Sequence, residues 1–211
     1  MFRGHSILAL IPARGESEGL TRKNITFLSG KPLLAWSIEE ALKISYIDKL
    51  IVSSEDEEVI RIGRKYGAEV PFIRPRELAT KEAKTIDVVL HAITWFKQRD
   101  EAFDLFLLLQ PTSPLRKSDD INNALEQLFQ KRARAIVSVC EVDHHPYWSN
   151  TLPDDLCMSA FLREDAVNRN RQELPKYYRL NGAVYLGYSD YIVENRGFFG
   201  HRTFAYIMKK E

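Results

Sequence analysis

Residues 6–24 read SILALIPARGESEGLTRKN, and the fold turns on how that stretch changes character halfway. Ser6–Ile11 is a short apolar run of the kind a strand shows when both its faces are covered. At Pro12 it gives way to a polar loop with two glycines and three bases, Arg14, Arg22 and Lys23. Such a loop, directly after a buried strand, suits the capture of a triphosphate or pyrophosphate. Guanidinium forks and an ammonium aimed at one point neutralise charge that backbone amides alone would leave. Neither common phosphate loop is present, since the stretch holds no G-x-G-x-x-G and no G-K-[ST]. Taken alone, it reads equally well as a solvated surface connection.

Downstream, strand-like and helix-like segments alternate. Pro32 sits where a first helical turn tolerates it, and Leu34, Ile38, Ala41 and Leu42 mark one helix face. KLIVS (49–53) predicts a strand, and Ser54 with Glu57 predicts a capping box opening a helix that Gly67 closes. Val70–Ile73 reads as a third, short strand. Ile86, Val89, Leu90, Ile93 and Phe96 are spaced for an amphipathic helix, and DLFLLL (104–109) is the strongest strand signal in the chain. It ends in QPTSPLR, after which Ser118 opens a helix with Ile121, Leu125, Leu128 and Phe129 inward; Ala135–Val142 follows as a strand. Strands alternating with helices predict an α/β fold, a mostly parallel sheet covered on both faces.

The rhythm breaks at His144. From there to Arg179 the chain is polar, with Pro146, Pro153 and Pro175, and too long for an ordinary connection. The expected organisation is a core of residues 1–143 and 180–211, with 144–179 as an arm or binding lobe. Order returns with a strand at Leu180–Leu186, a short helix at Ser189–Glu194 and a last strand at Thr203–Met208.

Bulk properties exclude several classes. Thirty bases against 29 acids leave a net charge of +1, so no long-range field draws nucleic acid or an anionic membrane, and any anion site is local. No stretch approaches the roughly 20 apolar residues of a membrane span, and the N-terminal run is too short for a signal peptide. Cys140 and Cys157 lack metal spacing and read as reduced thiols of a cytoplasmic protein. His144 and His145 are adjacent, so on a strand they would point to opposite faces, which disfavours a shared metal.

Ligands of open α/β sheets bind beyond the carboxyl ends of the strands. Three polar clusters fall there: Pro12–Asn24, Arg74–Thr85 and Gln110–Arg116.

The order IPARGESEGLTRKNI, GKPLLAWSI, RPRELA, LLQPTSPLR, HHPYW, RQELP and NGAVY, spanning about residues 7–208, resembles the CMP-sialic acid synthetases. This acylneuraminate cytidylyltransferase family includes relatives acting on pseudaminic and legionaminic acids. The resemblance implies a Rossmann-like three-layer α/β/α nucleotidyltransferase fold and an enzyme joining CTP to a nonulosonic acid. The acid's anomeric hydroxyl attacks the α-phosphate and pyrophosphate leaves. It implies catalytic roles for Arg14, Lys23 and Arg171, with Arg14 and Lys23 on the triphosphate. Ala13, Asn24, Arg74, Ala83 and Thr85 would complete the nucleotide site. Gln110, Thr112 and Ser113, with Tyr185, Phe198 and Phe199 as walls, would hold the sugar acid. It further implies Mg²⁺ and a homodimer made by the lobe, whose Arg171 enters the neighbour's site. Taken alone, QPTS reads as a strand end, Phe198-Phe199 as core and Arg171 as solvated.

Four features depart from the family pattern. Glu18 stands where lysine is usual, Lys81 where aspartate is common and Trp148 where many bacterial members carry lysine. The chain reads IMKKE where the family continues into a segment whose aspartates hold the Mg²⁺, so no metal ligands are identified. A second expectation is therefore a catalytically impaired nucleotide- or sugar-binding homologue on the same fold. Transfer of CMP to 3-deoxy-octulosonate, or use of GTP, fits the RQELP and HHP motifs less well.

Overall fold

The structure is a computed structural model. It describes all residues but 17, 18, 163, 165, 166, 168, 210 and 211, and the backbone alone at Arg171. Glu18, and the side chain of Arg171, therefore lie outside the described residues.

The apolar run becomes β1, Ile7–Pro12, every residue of which but the last is buried. Alternation along it builds two cores. Ile7, Ala9 and Ile11 pack with Leu34 and Ile38 of α1 (Leu33–Leu42), Val59 of α2 (Glu57–Lys65) and Ile121 and Leu125 of α4 (Ser118–Gln130). Leu8 and Leu10 face the other way, onto Val89, Ala92 and Phe96 of α3 (Thr85–Lys97) and Ile192 of α5 (Ser189–Asn195). Successive strand side chains point to opposite faces, so a strand sandwiched between helices must be apolar throughout. The result is the expected α/β/α three-layer fold.

The main sheet has the order β4-β1-β5-β7-β6-β8. Its strands are β1, β4 (Lys49–Ser53), β5 (Leu105–Leu108), β6 (Ala135–Glu141), β7 (Tyr178–Tyr188) and β8 (Thr203–Ile207). A separate short hairpin joins β2 (Phe27–Leu28) to β3 (Lys31–Pro32). All main-sheet pairings are parallel except those of β7, which is antiparallel to both β5 and β6. The cause is the excursion at 144–177: the chain leaves from the end of β6 and returns at the same sheet end, so β7 can only run back. The ladder pairs Cys140 with Arg179 and Glu141 with Tyr178, and Val142 N–H reaches the Tyr177 carbonyl at 3.0 Å. His145 anchors the excursion's base, buried among Tyr147, Tyr177 and Trp148. Its Nδ1 accepts from Tyr147 N–H at 3.2 Å, and its Nε2 donates to the Pro175 carbonyl at 2.9 Å.

Two expectations fail locally. Val70–Ile73 forms no strand; Glu69 alone bridges to Ile51 at the edge of β4. Pro71 has no N–H to give a ladder, and Phe72 packs sideways on His91 and Trp95. The N-cap of α2 is Asp56, which accepts from Glu58 and Val59 N–H at 3.0 and 2.9 Å. Ser54 Oγ takes Asp56 N–H at 3.1 Å instead, one step before the helix. Gly67, with φ 98°, ends that helix in the left-handed region, as expected. Both cysteines are free, Cys140 buried and Cys157 exposed.

Candidate active site

Three strands, β1, β4 and β5, deliver their carboxyl ends to one edge of the sheet. Beyond that edge lies a cleft of about 340 Å³. It brings together Arg14, Lys23 and Asn24 from the first loop with Arg74, Lys81, Ala83 and Thr85 from the second, and Gln110 and Thr112 from the third. Four of these are bases, and no aspartate or glutamate is among the described residues lining the cleft. α3 begins at Thr85, so the positive end of a helix dipole faces the same space.

The first loop is shaped by its neighbours. Gly15 N–H donates to Glu55 Oε1 at 2.7 Å, and a Cβ at Gly15 would stand 2.7 Å from Asp56 Cβ, so no other residue fits without a shift. Arg14 crosses to the second loop: its Nη1 donates to the Thr80 carbonyl at 2.8 Å and its Nε to the Glu16 carbonyl at 2.9 Å. Asn24 is buried, and its amide donates to the Arg14 carbonyl at 2.9 Å, tying the loop's end to its start.

Arg22 does not join the cleft. Its Nη2 pairs with Asp56 at 3.1 Å and Glu58 at 2.8 Å, which fastens the loop to the amino end of α2. The expectation that three bases of this loop converge is corrected: two do, Arg14 and Lys23, and the second loop adds Arg74 and Lys81 to the cleft. The cause is long-range, since the paired carboxylates lie 34 and 36 residues away.

Arg74 is the buried charge of the site, 4% exposed. Its Nε donates to Ser53 Oγ at 3.0 Å, and its Nη2 to the Ser53 carbonyl. Burial lowers its pKa to about 10; Glu55 opposes that shift and Arg14 adds to it. The guanidinium thus stays charged at neutral pH, in surroundings where its field is poorly screened.

The remaining residues singled out in the sequence fall elsewhere. Ala13 is fully buried, its N–H on the Ser53 carbonyl at 3.0 Å. Ser113 donates to the Asn181 carbonyl at 2.9 Å. Tyr185 and Phe198 pack on each other, ring centres 5.5 Å apart, and Phe199 is exposed. None of these lines the cleft. In the sequence Lys81 stands out only as a departure; its neighbour Thr80 bonds Arg14 across 66 residues, a contact no local signal announces.

The described residues do not form a protein-built site for Mg²⁺. Among the described residues no group of three or more His, Cys, Asp or Glu side chains could hold a metal ion. Adjacent His144 and His145 offer none, since both His145 nitrogens are taken.

A three-layer α/β/α fold with a basic cleft beyond the carboxyl edge of its sheet places the chain among α/β proteins suited to an anionic ligand. A family model described as cytidylyltransferase matches residues 8–209, and the chain belongs to that family. It is 35% identical over 199 residues to the CMP-N,N'-diacetyllegionaminic acid synthase of Legionella pneumophila, covering 93% of this chain and 84% of the relative. The pseudaminic acid cytidylyltransferase of Campylobacter jejuni is 32% identical over 203 residues, covering 96% and 87%. The N-acylneuraminate cytidylyltransferase of Escherichia coli O18:K1:H7 is 36% identical over 207 residues, which cover 97% of this chain but 48% of that protein. Among solved structures, a CMP:2-keto-3-deoxy-manno-octonic acid synthetase in complex with CTP superposes with a TM-score of 0.69 at 14% identity, covering 97% and 90%; this likeness concerns the fold alone.

Proposed function

We propose that the protein joins CTP to a nonulosonic acid, giving the CMP-sugar and pyrophosphate. The observation that carries this reading is the cleft of four bases, without a carboxylate among its described lining residues, in a chain of the cytidylyltransferase family. The acid's anomeric oxygen bonds to the α-phosphorus, the bond to the β-phosphate oxygen breaks, and the hydroxyl proton passes to solvent. Arg14, Lys23 and Lys81 hold the triphosphate and meet charge growing on the leaving group. Arg74, Asn24, Ala83 and Thr85 surround the nucleoside, and Gln110 and Thr112 face the incoming acid. No step is assigned to a metal ion held by the described residues.

The excursion fits a homodimer. Leu152, Leu156, Met158 and Leu162 there are 51, 67, 57 and 42% exposed, an apolar surface that a second copy would cover. Arg171 lies on the same segment and, on this reading, serves the neighbour's cleft. Among the described residues no helix is long and apolar enough to cross a membrane, and the proposed setting is the cytoplasm.

A second reading, a nucleotide-binding homologue without turnover, rests on Glu18 standing in the phosphate loop where the resemblance leads one to expect lysine. The experiment is pyrophosphate release from CTP and Mg²⁺ with N-acetylneuraminic, N,N'-diacetyllegionaminic and pseudaminic acids, alongside calorimetry with CTP. Turnover with one acid supports the first reading. CTP binding without turnover selects the second, and no CTP binding defeats both.

A further inference from the structure

β7 is irregular at one place. Val137 pairs with Tyr185 and Val139 with Leu180, so Asn181, Gly182, Ala183 and Val184 stand opposite Ser138 alone. The bulge is stitched internally: Ser138 Oγ donates to Asn181 Oδ1 at 2.6 Å and accepts from Val184 N–H at 2.7 Å. Asn181 Oδ1 also takes Ala183 N–H at 3.1 Å.

The same bulge is stitched to the loop after β5. Ser113 Oγ donates to the Asn181 carbonyl at 2.9 Å. Arg116, 2% exposed, spans the gap with one nitrogen: its Nη1 donates to the Ala183 carbonyl at 2.7 Å and the Gln110 carbonyl at 3.2 Å. At the centre is Gly182, φ +72°; a Cβ there would stand 2.6 Å from Gln110 Oε1 and 3.5 Å from Ser113 Oγ. The Gln110 amide therefore rests against the bare face of Gly182, and Gln110 lines the cleft. Bulges beside active sites commonly re-aim a side chain.

We propose that the Asn181–Val184 bulge is the positioning element for Gln110, with Gly182 making room for its amide and Arg116 fixing its backbone. Gly182 and Arg116 are positioning residues: they act on the ligand through Gln110. This rests on the reading that the cleft holds CTP with Gln110 turned to the acceptor acid, but the geometric claim can be tested without turnover.

The test uses Gly182→Ala and Gly182→Asn, singly and combined with Gln110→Ala. Asparagine tolerates the left-handed conformation better than alanine yet carries the same Cβ, so it separates backbone strain from displacement of the amide. In protein labelled with side-chain ¹⁵N-glutamine, the resonance lost in Gln110→Ala identifies the Gln110 amide. It should move in both Gly182 variants. With an accepted acid, both variants should raise KM for that acid about tenfold, the scale of one lost hydrogen bond to a charged partner, while CTP affinity stays within about twofold. Gly182→Ala/Gln110→Ala should be no worse than Gln110→Ala alone, because the two changes act on one interaction. An unmoved Gln110 amide in both variants, or additive losses in the double variant, overturns the proposal. Failure of the parent chain to bind CTP would overturn the functional reading instead, leaving the amide measurement decisive for the bulge.

Discussion

Arg14 Nη1 and the carbonyl of Thr80 lie 2.8 Å apart across 66 residues of sequence, so one guanidinium both lines the cleft and latches its two loops together. The bond uses one of the five N–H donors and Nε uses another on Glu16, which leaves guanidinium donors that make no bond to the described residues.

Arg14→Ala should weaken CTP affinity by about 10- to 100-fold, the span of charge-assisted hydrogen bonds, while leaving the melting temperature nearly unchanged. Calorimetry and thermal unfolding on the same sample check this. A large fall in melting temperature would make Arg14 a structural residue.

Arg22→Ala should behave in the opposite way. Asp56 and Glu58 hold this side chain away from the cleft, so CTP affinity should stay within about twofold of the parent. A loss as deep as that of Arg14→Ala would show that Arg22 swings inward when nucleotide binds.

Asp56→Ala should cost about 1 kcal/mol, the usual worth of an N-cap, since Asp56 rather than Ser54 receives the two free N–H groups of α2. Urea unfolding measures it. An effect confined to Ser54→Ala would restore the capping box expected from sequence.

Asp104 predicts an acid limb of stability. Its carboxylate takes Ser6 N–H at 2.8 Å and Ser6 Oγ–H at 2.9 Å, joining the starts of β1 and β5. Chiefly that backbone bond holds its pKa below the ordinary 3.8, against an opposing push from burial. A carboxyl depressed on folding adds stability above its unfolded pKa and loses it as pH falls through the folded one. The stability difference between the parent and Asp104→Ala should therefore be constant near neutrality and shrink below pH 3.8. A difference that stays constant into that acid range would mean the carboxylate contributes by shape, not charge.

The strands that carry the cleft were legible because burial on both faces leaves an unmistakable signature: ILALI and DLFLLL are apolar wherever they are ordered. What was not legible depended on partners distant in sequence. Val70–Ile73 has strand-like residues, but Pro71 removes a ladder donor, and the pairing stops at Glu69. Arg22 looked equivalent to Arg14 because sequence gives a side chain's charge and not the carboxylates folding will bring to it. Ser54 and Asp56 are both good caps two residues apart, and the chain's exit from β4 chooses between them. Lys81 looked like a defect in the family pattern, whereas its position makes it a fourth base of the cleft. The lone glycine of NGAVY gave no hint that it abuts Gln110, because that contact needs a bulge whose register no motif records.

Because β7 alone links β4-β1-β5 to β6-β8, the sheet is completed by a late strand. During synthesis β5 and β6 each wait with a bare hydrogen-bonding edge until the long excursion has emerged and the chain has doubled back. Such edges invite pairing with other nascent chains. The length of the 144–177 excursion thus sets the delay before the chain can close its own sheet.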